Sequence, residues 1–303
     1  MALGRASWVG QKLSAPSREG VSSEELMSPK SAPHQPHDAR LADRDETRGF
    51  VREKIEFTAL AGERITGWLG LPKISPKPLG CVLLLHGVGG SKDSWWRMDN
   101  LEGPLAPRLI SAGYAVFMID AALFGERSNK QWVGGEPNVR SPAKWLFHGR
   151  EIVSRTVTDY RRALDYLATR SDLDPRRYAA VGYSMGGVIA LHLLAADSRT
   201  TCGVVCVAPP ILGQPTVDSV RLMSPRLHSI AALKKHHAAE LEKKPLLFLM
   251  ATQDSFYSVA EATALVRRMP GPDKVLKFFD SGHILPPEYI DDTVAWLRVH
   301  CPA

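Results

Sequence analysis

The sequence predicts an α/β domain built on a mostly parallel β-sheet with helices on both faces. Apolar runs such as "CVLLLHG" and "YAVFMID" do not alternate with polar residues, as expected for strands that are buried on both faces. Segments with the apolar spacing of amphipathic helices stand between these runs. Because a parallel strand pair needs a crossover connection, this alternation favours a parallel sheet covered by helices.

The elements follow in order after a polar N-terminal segment. "VREKIEFTA" and "ERITGWLGLP" alternate apolar and polar residues around Ala61-Gly62, which predicts two antiparallel strands. Further along, the strand "YAAVG" leads directly into the helix "GVIALHLLAA". The other predicted elements are strand "CVLLLHG", helix 101–112, strand "YAVFMID", helix 147–169, strand "CGVVCVA", a helical stretch at 217–242, strand "PLLFLMA", helix "SVAEATALVRRM", strand "KVLKFF" and helix "PEYIDDTVAWLRVH".

The N-terminal residues 1–48 differ in composition from the rest of the chain. Ser, Pro, Gln, His and charged residues dominate this segment, and its apolar residues show no periodicity. Such a segment buries too little apolar surface to offset the entropy of ordering it, so we expect a flexible extension. Residues 49–303 are predicted to form one catalytic domain. No stretch is apolar and long enough for a signal peptide or a membrane span.

Composition argues against several classes of function. The net charge is only +6, and no dense basic cluster with interleaved aromatic residues indicates nucleic-acid binding. Cys81, Cys202 and Cys206 lie within apolar runs, which predicts reduced core residues rather than disulfides or metal ligands. Reduced cysteines favour a cytoplasmic location. Nothing in the sequence predicts an oligomeric state.

The segment "VGYSMGG" places Ser184 at the junction of a predicted strand and helix. A Gly-x-Ser-x-Gly turn between such elements is tight and strained, and it holds the serine hydroxyl at the carboxyl end of the sheet. The N-terminus of the following helix offers free N–H groups and a positive dipole end beside that hydroxyl. We therefore predict that Ser184 is a nucleophile. The alternative is a glycine-rich turn that only permits close packing.

A serine nucleophile needs a base, and the base needs a carboxylate that orients it. In folds of this kind the residues follow in the order Ser, acid, His, on loops after strands. Asp254 is the first carboxylate after "PLLFLMA", and His283 follows "KVLKFF". We predict that these two residues are the acid and the base.

The sequence leaves three alternatives to Asp254 as the acid and His283 as the base. Asp254 could cap the helix that follows it, although Ser255 or Ser258 could fill that role instead. His283 could be an ordinary surface-loop histidine. Asp280 is a rival acid, but it is so close to His283 in sequence that a facing geometry is harder to reach.

Two backbone N–H groups are needed to stabilise an oxyanion. One is predicted at Met185, directly after the nucleophile. The other is predicted in the glycine-rich loop "HGVGGSKD", at Val88 with Gly89 as the alternative. His86 at the start of this loop is predicted to brace it rather than to act as a second base.

The segments "LLLHGVGG", "VGYSMGG", "ATQD" and "SGH", in this order, resemble the α/β-hydrolase superfamily over about residues 50 to 300. The resemblance implies the α/β-hydrolase fold, an eight-stranded sheet whose second strand is antiparallel. It also implies acyl transfer through a serine ester, with no metal or organic cofactor.

The segment "MIDAALFGERS" is similar to the corresponding loop of the dienelactone-hydrolase-like and acetyl-esterase-like groups. Dienelactone hydrolases use a cysteine nucleophile, and this chain has Ser184, so the resemblance favours a serine esterase acting on a small-molecule carboxylic ester. An acyltransferase with the same three residues is an alternative. A binding protein without turnover is a second one, although an intact Ser, Asp and His set argues against it.

Aromatic and aliphatic residues in the loops of the predicted catalytic face suggest an apolar pocket for a small or medium acyl or alcohol group. The alternative is that these side chains pack the loops onto the body of the domain. Segments 128–145 and 209–244 could cover the site, and Glu126 and Arg127 are predicted to form an ion pair within their loop. The predicted pocket residues are Trp95, Phe124, Trp132, Phe256 and Ile284.

Overall fold

The computed structural model describes residues 38–303 except for 48, 60–61, 75–77, 100, 129–141, 210–239 and 270, and for 142–148 and 150 it describes only the backbone. The strands of this part are β1 (Arg40–Glu46), β2 (Phe50–Thr58), β3 (Arg64–Pro72), β4 (Leu79–Leu85), β5 (Ala115–Ile119), β6 (Leu173–Tyr183), β7 (Thr200–Cys206), β8 (Leu246–Ala251) and β9 (Lys274–Phe279). Its α-helices are α1 (Leu105–Ser111), α2 (Pro142–Leu167), α3 (Met185–Ala196), α4 (Val259–Arg268) and α5 (Glu288–His300).

All of these strands belong to one sheet, in the order β1-β2-β3-β5-β4-β6-β7-β8-β9. From β5 to β9 every neighbouring pair is parallel. Strand β3 runs antiparallel to both of its neighbours. Strands β2 to β9 therefore form the predicted eight-stranded sheet with an antiparallel second strand, and the predicted fold class is confirmed.

The central strands are covered on both faces. Every residue of β4 and β5 is buried, which explains why their sequences show no alternation. By contrast, β2 alternates buried and partly exposed residues along its whole length. Helix α1 packs against α5 and α2 against α3, while α4 contacts β8 and β9. Because the strands are parallel, the loops that follow β4, β6, β8 and β9 meet at one edge of the sheet, where the candidate site lies.

Strand β1 lies within the segment that the sequence predicts to be a flexible extension. It pairs antiparallel with β2, and Arg40 forms an ion pair with Glu56 at 2.9 Å across the two strands. Arg52 on β2 forms a second cross-strand ion pair with Asp45. The prediction is wrong for residues 40–46 because backbone pairing and ion pairs hold this edge strand, and neither produces apolar periodicity. Residues 1–37 lie outside the described part.

Two further predictions concern composition. Cys81, Cys202, Cys206 and Cys301 are all described, and each is a buried free thiol. This confirms that the three cysteines assigned to apolar runs are core residues.

None of the helices in the described ranges combines the length and the hydropathy needed to cross a bilayer. Most of the predicted helical stretch at 217–242 lies outside the described residues.

Candidate active site

The backbone turns sharply at Ser184, between β6 and α3. This serine has φ 53° and ψ −117°, in the left-handed region that a residue with a Cβ rarely occupies. Its N–H donates to the carbonyl of Cys206 at 2.8 Å, and its own carbonyl accepts from Gly187 at 3.0 Å. These bonds from β7 and from the first turn of α3 hold the strained conformation. The turn has the geometry predicted for a nucleophile elbow.

The glycines beside Ser184 are required by the close approach of strand and helix. A Cβ on Gly182 would overlap the backbone at Gly186 and would lie 2.6 Å from the nitrogen of Gly187. A Cβ on Gly186 would collide with the carbonyl oxygen of Leu85 and would lie 2.7 Å from that of His86. The pentad therefore brings the serine next to the end of β4 as well as to β6.

The predicted nucleophile, base and acid converge at the carboxyl edge of the sheet. The Nε2 atom of His283 lies 2.8 Å from the Oγ atom of Ser184. The Nδ1 atom of His283 lies 2.8 Å from the Oδ2 atom of Asp254. The carboxylate of Asp254 is buried, while the imidazole and the serine keep limited access to solvent. With Nδ1–H donating to Asp254, Nε2 is free to accept the serine proton.

Neighbouring groups fix the carboxylate of Asp254. Its Oδ1 accepts the N–H of Phe256 at 2.8 Å, and its Oδ2 bonds to His283. The cap of helix α4 is Ser258, which accepts from the N–H of Glu261 at 3.2 Å and forms a capping box with that residue. Ser258 rather than Asp254 therefore caps this helix.

The rival carboxylate, Asp280, bonds to Thr252 and Gln253. Its Oδ1 accepts from the hydroxyl of Thr252 at 3.0 Å and from the amide of Gln253 at 2.8 Å. These contacts join the loop after β9 to the loop after β8. Asp280 thus has a structural role, and among the described carboxylates His283 bonds to Asp254.

The glycine-rich loop after β4 lies against the nucleophile. A Cβ on Gly87 would be 3.4 Å from the Cβ of Ser184. Within the part of the chain that the structure describes, the N–H groups of Val88, Gly89 and Met185 have no hydrogen-bond acceptor. Both residues of the predicted oxyanion pair are therefore next to Ser184 with unused donors, and Gly89 remains the alternative to Val88.

His86 holds the orientation of this loop. Its Nε2 accepts the N–H of Ala121 at 2.9 Å, so the ring proton is on Nδ1, which donates to the carbonyl of Gly87 at 2.8 Å. Burial lowers the pKa of His86 and keeps the ring neutral. Because the carbonyl of Gly87 and the N–H of Val88 share one planar peptide unit, fixing the first fixes the second.

A buried ion pair anchors the segment "MIDAALFGERS". Asp120 bonds to Lys92 at 2.8 Å through both the N–H and the Nζ of that lysine. Glu126 bonds to Lys92 and Lys54, each at 3.0 Å, so it does not pair with Arg127 as predicted. The lysines that pair with Glu126 come from distant parts of the sequence, so adjacency in the sequence does not indicate them.

Arg127 bonds instead to two carboxylates from other parts of the fold. It lies 2.9 Å from Glu63 and 2.8 Å from Asp159. The loop is thus held at both residues that were predicted to pair with each other. The segment has the steadying role that was predicted, with different partners.

The predicted pocket residues separate into three groups. Trp95 is 0% exposed and belongs to the core, so the prediction that it lines a pocket is wrong; the loop that carries it folds inward. Phe124 is also buried in the core, edge-on to the ring of His86.

Phe256 and Ile284 are exposed, at 54% and 61%. The ring of Phe256 contacts the imidazole of His283, and Ile284 follows His283 directly in the sequence. Trp132 lies outside the described residues, as does most of each segment predicted to cover the site.

Sequence reasoning missed several buried polar groups around the site. Glu102 accepts the N–H of Gly87 at 2.9 Å, and its carbonyl accepts from the hydroxyl of Tyr289. The hydroxyl of Tyr183 bonds to the loop that carries His283. A single glutamate or tyrosine in a sequence gives no signal for such contacts. The described residues contain no cluster of three or more side chains suited to a metal ion.

The model of the alpha/beta hydrolase family matches residues 82–302. The putative hydrolase YtaP of Bacillus subtilis is 30% identical over 175 residues, which are 55% of this chain and only about half, 54%, of that protein. A cold-adapted esterase from an Arctic intertidal metagenomic library superposes with a TM-score of 0.64 at 18% identity, over 86% of this chain and 98% of its own.

A second solved structure is the acetyl xylan esterase of Paenibacillus sp. R4, with a TM-score of 0.62 at 18% identity over 92% of each chain. At these identities the structural likenesses establish the fold. The family model covers most of the chain, including the elbow, the loop after β4 and the loops that carry Asp254 and His283. The chain belongs to the alpha/beta hydrolase family.

Proposed function

We propose that the protein hydrolyses a carboxylic ester of a small or medium substrate through an acyl-enzyme intermediate on Ser184. The observation that carries the proposal is the continuous hydrogen-bonded chain from Ser184 Oγ through His283 to the buried carboxylate of Asp254. The names of the two esterases of similar fold support the same class of reaction.

In the first half-reaction, the Oγ atom of Ser184 attacks the ester carbonyl carbon while Nε2 of His283 takes the hydroxyl proton. The carbonyl electron pair moves to oxygen, where the N–H groups of Met185 and Val88 stabilise the negative charge. The carbon–oxygen bond to the alcohol then breaks, and His283 gives its proton to the departing oxygen.

In the second half-reaction, water takes the place of the alcohol. His283 removes a proton from the water as it attacks the acyl carbon, and the proton passes to Ser184 Oγ when the serine ester bond breaks. Asp254 keeps the Nδ1–H tautomer and stabilises the imidazolium in both halves. The complete cycle consumes one ester and one water, and it releases the alcohol and the carboxylic acid.

A panel of p-nitrophenyl esters graded from acetate to longer acyl chains tests the proposal. We expect steady turnover of at least the shorter members. Burst release followed by slow turnover that an added alcohol accelerates would instead indicate acyl transfer. Absence of both turnover and labelling by a fluorophosphonate probe would support a binding protein and contradict the proposal.

Replacing Asp254 with asparagine is expected to lower kcat by about 10⁴-fold, because the amide favours the wrong imidazole tautomer. Asp280→Asn is the matched control, since this carboxylate also follows a strand at the same edge but bonds to Thr252 and Gln253. We expect the control to stay within a few-fold of the wild type. Equal losses in both variants would contradict the assignment of Asp254.

Two exposed apolar residues lie beside His283, on the side where the proposed reaction releases the alcohol. His283 must protonate the departing oxygen, so the alcohol lies next to the imidazole. The ring of Phe256 stands 4.6 Å from the imidazole, centroid to centroid, and the exposed Ile284 follows His283 directly. We therefore propose that these two side chains contact an apolar alcohol group.

Phe256→Ser is expected to raise KM for an ester of an aromatic alcohol by about tenfold, equivalent to about 1.4 kcal/mol of lost apolar contact. KM for the methyl ester of the same acid should change little. Val275→Ser is the control, because Val275 is a similarly exposed apolar residue near the opposite end of β9. A parallel rise in KM for both esters would argue against a leaving-group contact.

A further inference from the structure

We propose that the hydroxyl of Tyr183 is a positioning group that sets the distance between His283 and Ser184. The inference rests on the proposed function, because it concerns the same serine and histidine. It assigns a role to the middle residue of "GYS", which the pentad motif leaves unspecified.

The hydroxyl of Tyr183 makes two hydrogen bonds to the loop that carries His283. It donates to the carbonyl of His283 at 3.1 Å and accepts the N–H of Leu285 at 2.8 Å. One oxygen therefore binds the backbone on both sides of Ile284, immediately after the imidazole-bearing residue. These bonds fix the distance between this loop and the end of β6.

Tyr183 is itself held rigidly beside the nucleophile. It is the last residue of β6, and it is covalently joined to Ser184. Its side chain is 0% exposed, so water does not compete for the two hydrogen bonds. Burial also raises the pKa of Tyr183, which keeps the hydroxyl protonated as a donor. A rigid side chain thus connects the nucleophile to the histidine loop.

The loop that carries His283 has a second anchor, on the side of the acid. Its start is tied to the loop of Asp254, because the N–H of Gln253 donates to the carbonyl of Ser281 at 3.0 Å. The acid side is therefore anchored separately. Tyr183 supplies the anchor on the nucleophile side, and losing it frees the imidazole to move away from Ser184 while its bond to Asp254 persists.

The ring of Tyr183 continues this support toward the oxyanion loop. It packs edge-on against Tyr289, with ring centroids 5.8 Å apart. The Tyr289 hydroxyl donates to the carbonyl of Glu102, whose carboxylate holds the N–H of Gly87. Removing only the hydroxyl of Tyr183 leaves this aromatic contact in place, so the substitution to phenylalanine isolates the anchoring of His283.

The test compares Tyr183→Phe with Tyr160→Phe in the hydrolysis of p-nitrophenyl acetate. Tyr160 is an equally buried tyrosine whose hydroxyl also joins two backbone groups, donating to Leu84 at 2.6 Å and accepting from Ile119 at 3.3 Å. Both variants lose the same kind of hydrogen bonds. A merely structural role therefore predicts similar losses of activity and of thermal stability in the two.

For Tyr183→Phe we expect kcat to fall by about 10- to 100-fold, with KM changed less than about threefold. The rate of labelling by a fluorophosphonate probe should fall with kcat, because it depends on the same proton transfer. Tyr160→Phe should retain kcat within a few-fold while its melting temperature falls comparably.

An unchanged kcat for Tyr183→Phe, or equal losses in the two variants, would overturn the inference while leaving the wild-type activity as evidence for the proposed function. Wild-type protein that neither hydrolyses esters nor reacts with the probe would overturn the proposed function, and this inference with it.

Discussion

Ser184→Ala is expected to lower kcat for ester hydrolysis by about 10⁶-fold, the loss typical of removing the nucleophile of a Ser-His-Asp site. Without Oγ no acyl-enzyme can form, and the remaining donors and binding contacts leave an acceleration of only about 10³- to 10⁴-fold over water. The measurement is the steady-state rate with p-nitrophenyl acetate, made on protein whose melting temperature is recorded in parallel.

The fold should survive this substitution, because alanine keeps the Cβ and the backbone bonds of Ser184 to Cys206 and Gly187. Ser255→Ala is the matched control, since it removes an exposed hydroxyl next to Asp254. We expect the control to retain activity. A Ser184→Ala protein that turns over at more than about a hundredth of the wild-type rate would show that another group is the nucleophile.

Gly186→Ala is expected to have the second largest effect, acting through the backbone. The added Cβ would overlap the carbonyl oxygen at the end of β4, so the start of helix α3 would have to move away from Leu85 and His86. Ordinary overpacking costs about 1–3 kcal/mol, and a clash with backbone atoms has less room to relax than one with a side chain. Ser184 and the loop after β4 would separate, so we expect a large loss of stability and nearly complete loss of activity.

Thermal unfolding and ester hydrolysis of the same preparation measure this effect. Gly49→Ala is the control, because a Cβ at Gly49 meets nothing within 4 Å. We expect its melting temperature and activity to match the wild type. Wild-type stability and activity in Gly186→Ala would mean that the close approach of α3 and β4 is not what positions Ser184.

The elbow and its partners could be predicted because their physical requirements are local or topological. Small residues around Ser184 are visible in the sequence as a pentad between an apolar run and a helical pattern. Parallel topology then places the first polar residues after later strands at the same edge, which identified Asp254 and His283. The structure brings these residues together, while their catalytic roles remain a proposal for experiment.

Other features gave no sequence signal. Strand β1 is mostly charged and exposed, without an apolar alternation, so only its pairing with β2 reveals it. Aromatic residues in loops do not indicate whether the loop folds inward, which is why Trp95 was assigned to a pocket although it lies in the core. The anchoring contacts of Tyr183 and Glu102 join residues far apart in the chain, and their distances depend on tertiary packing.

Fluorophosphonate labelling with peptide mapping tests most directly whether the imidazole at 283 activates the hydroxyl at 184. The account predicts one adduct per chain, on the peptide that contains Ser184, and a labelling rate reduced by about 10³-fold or more in His283→Ala. An adduct on a different residue, or a His283→Ala variant labelled as fast as the wild type, would contradict it.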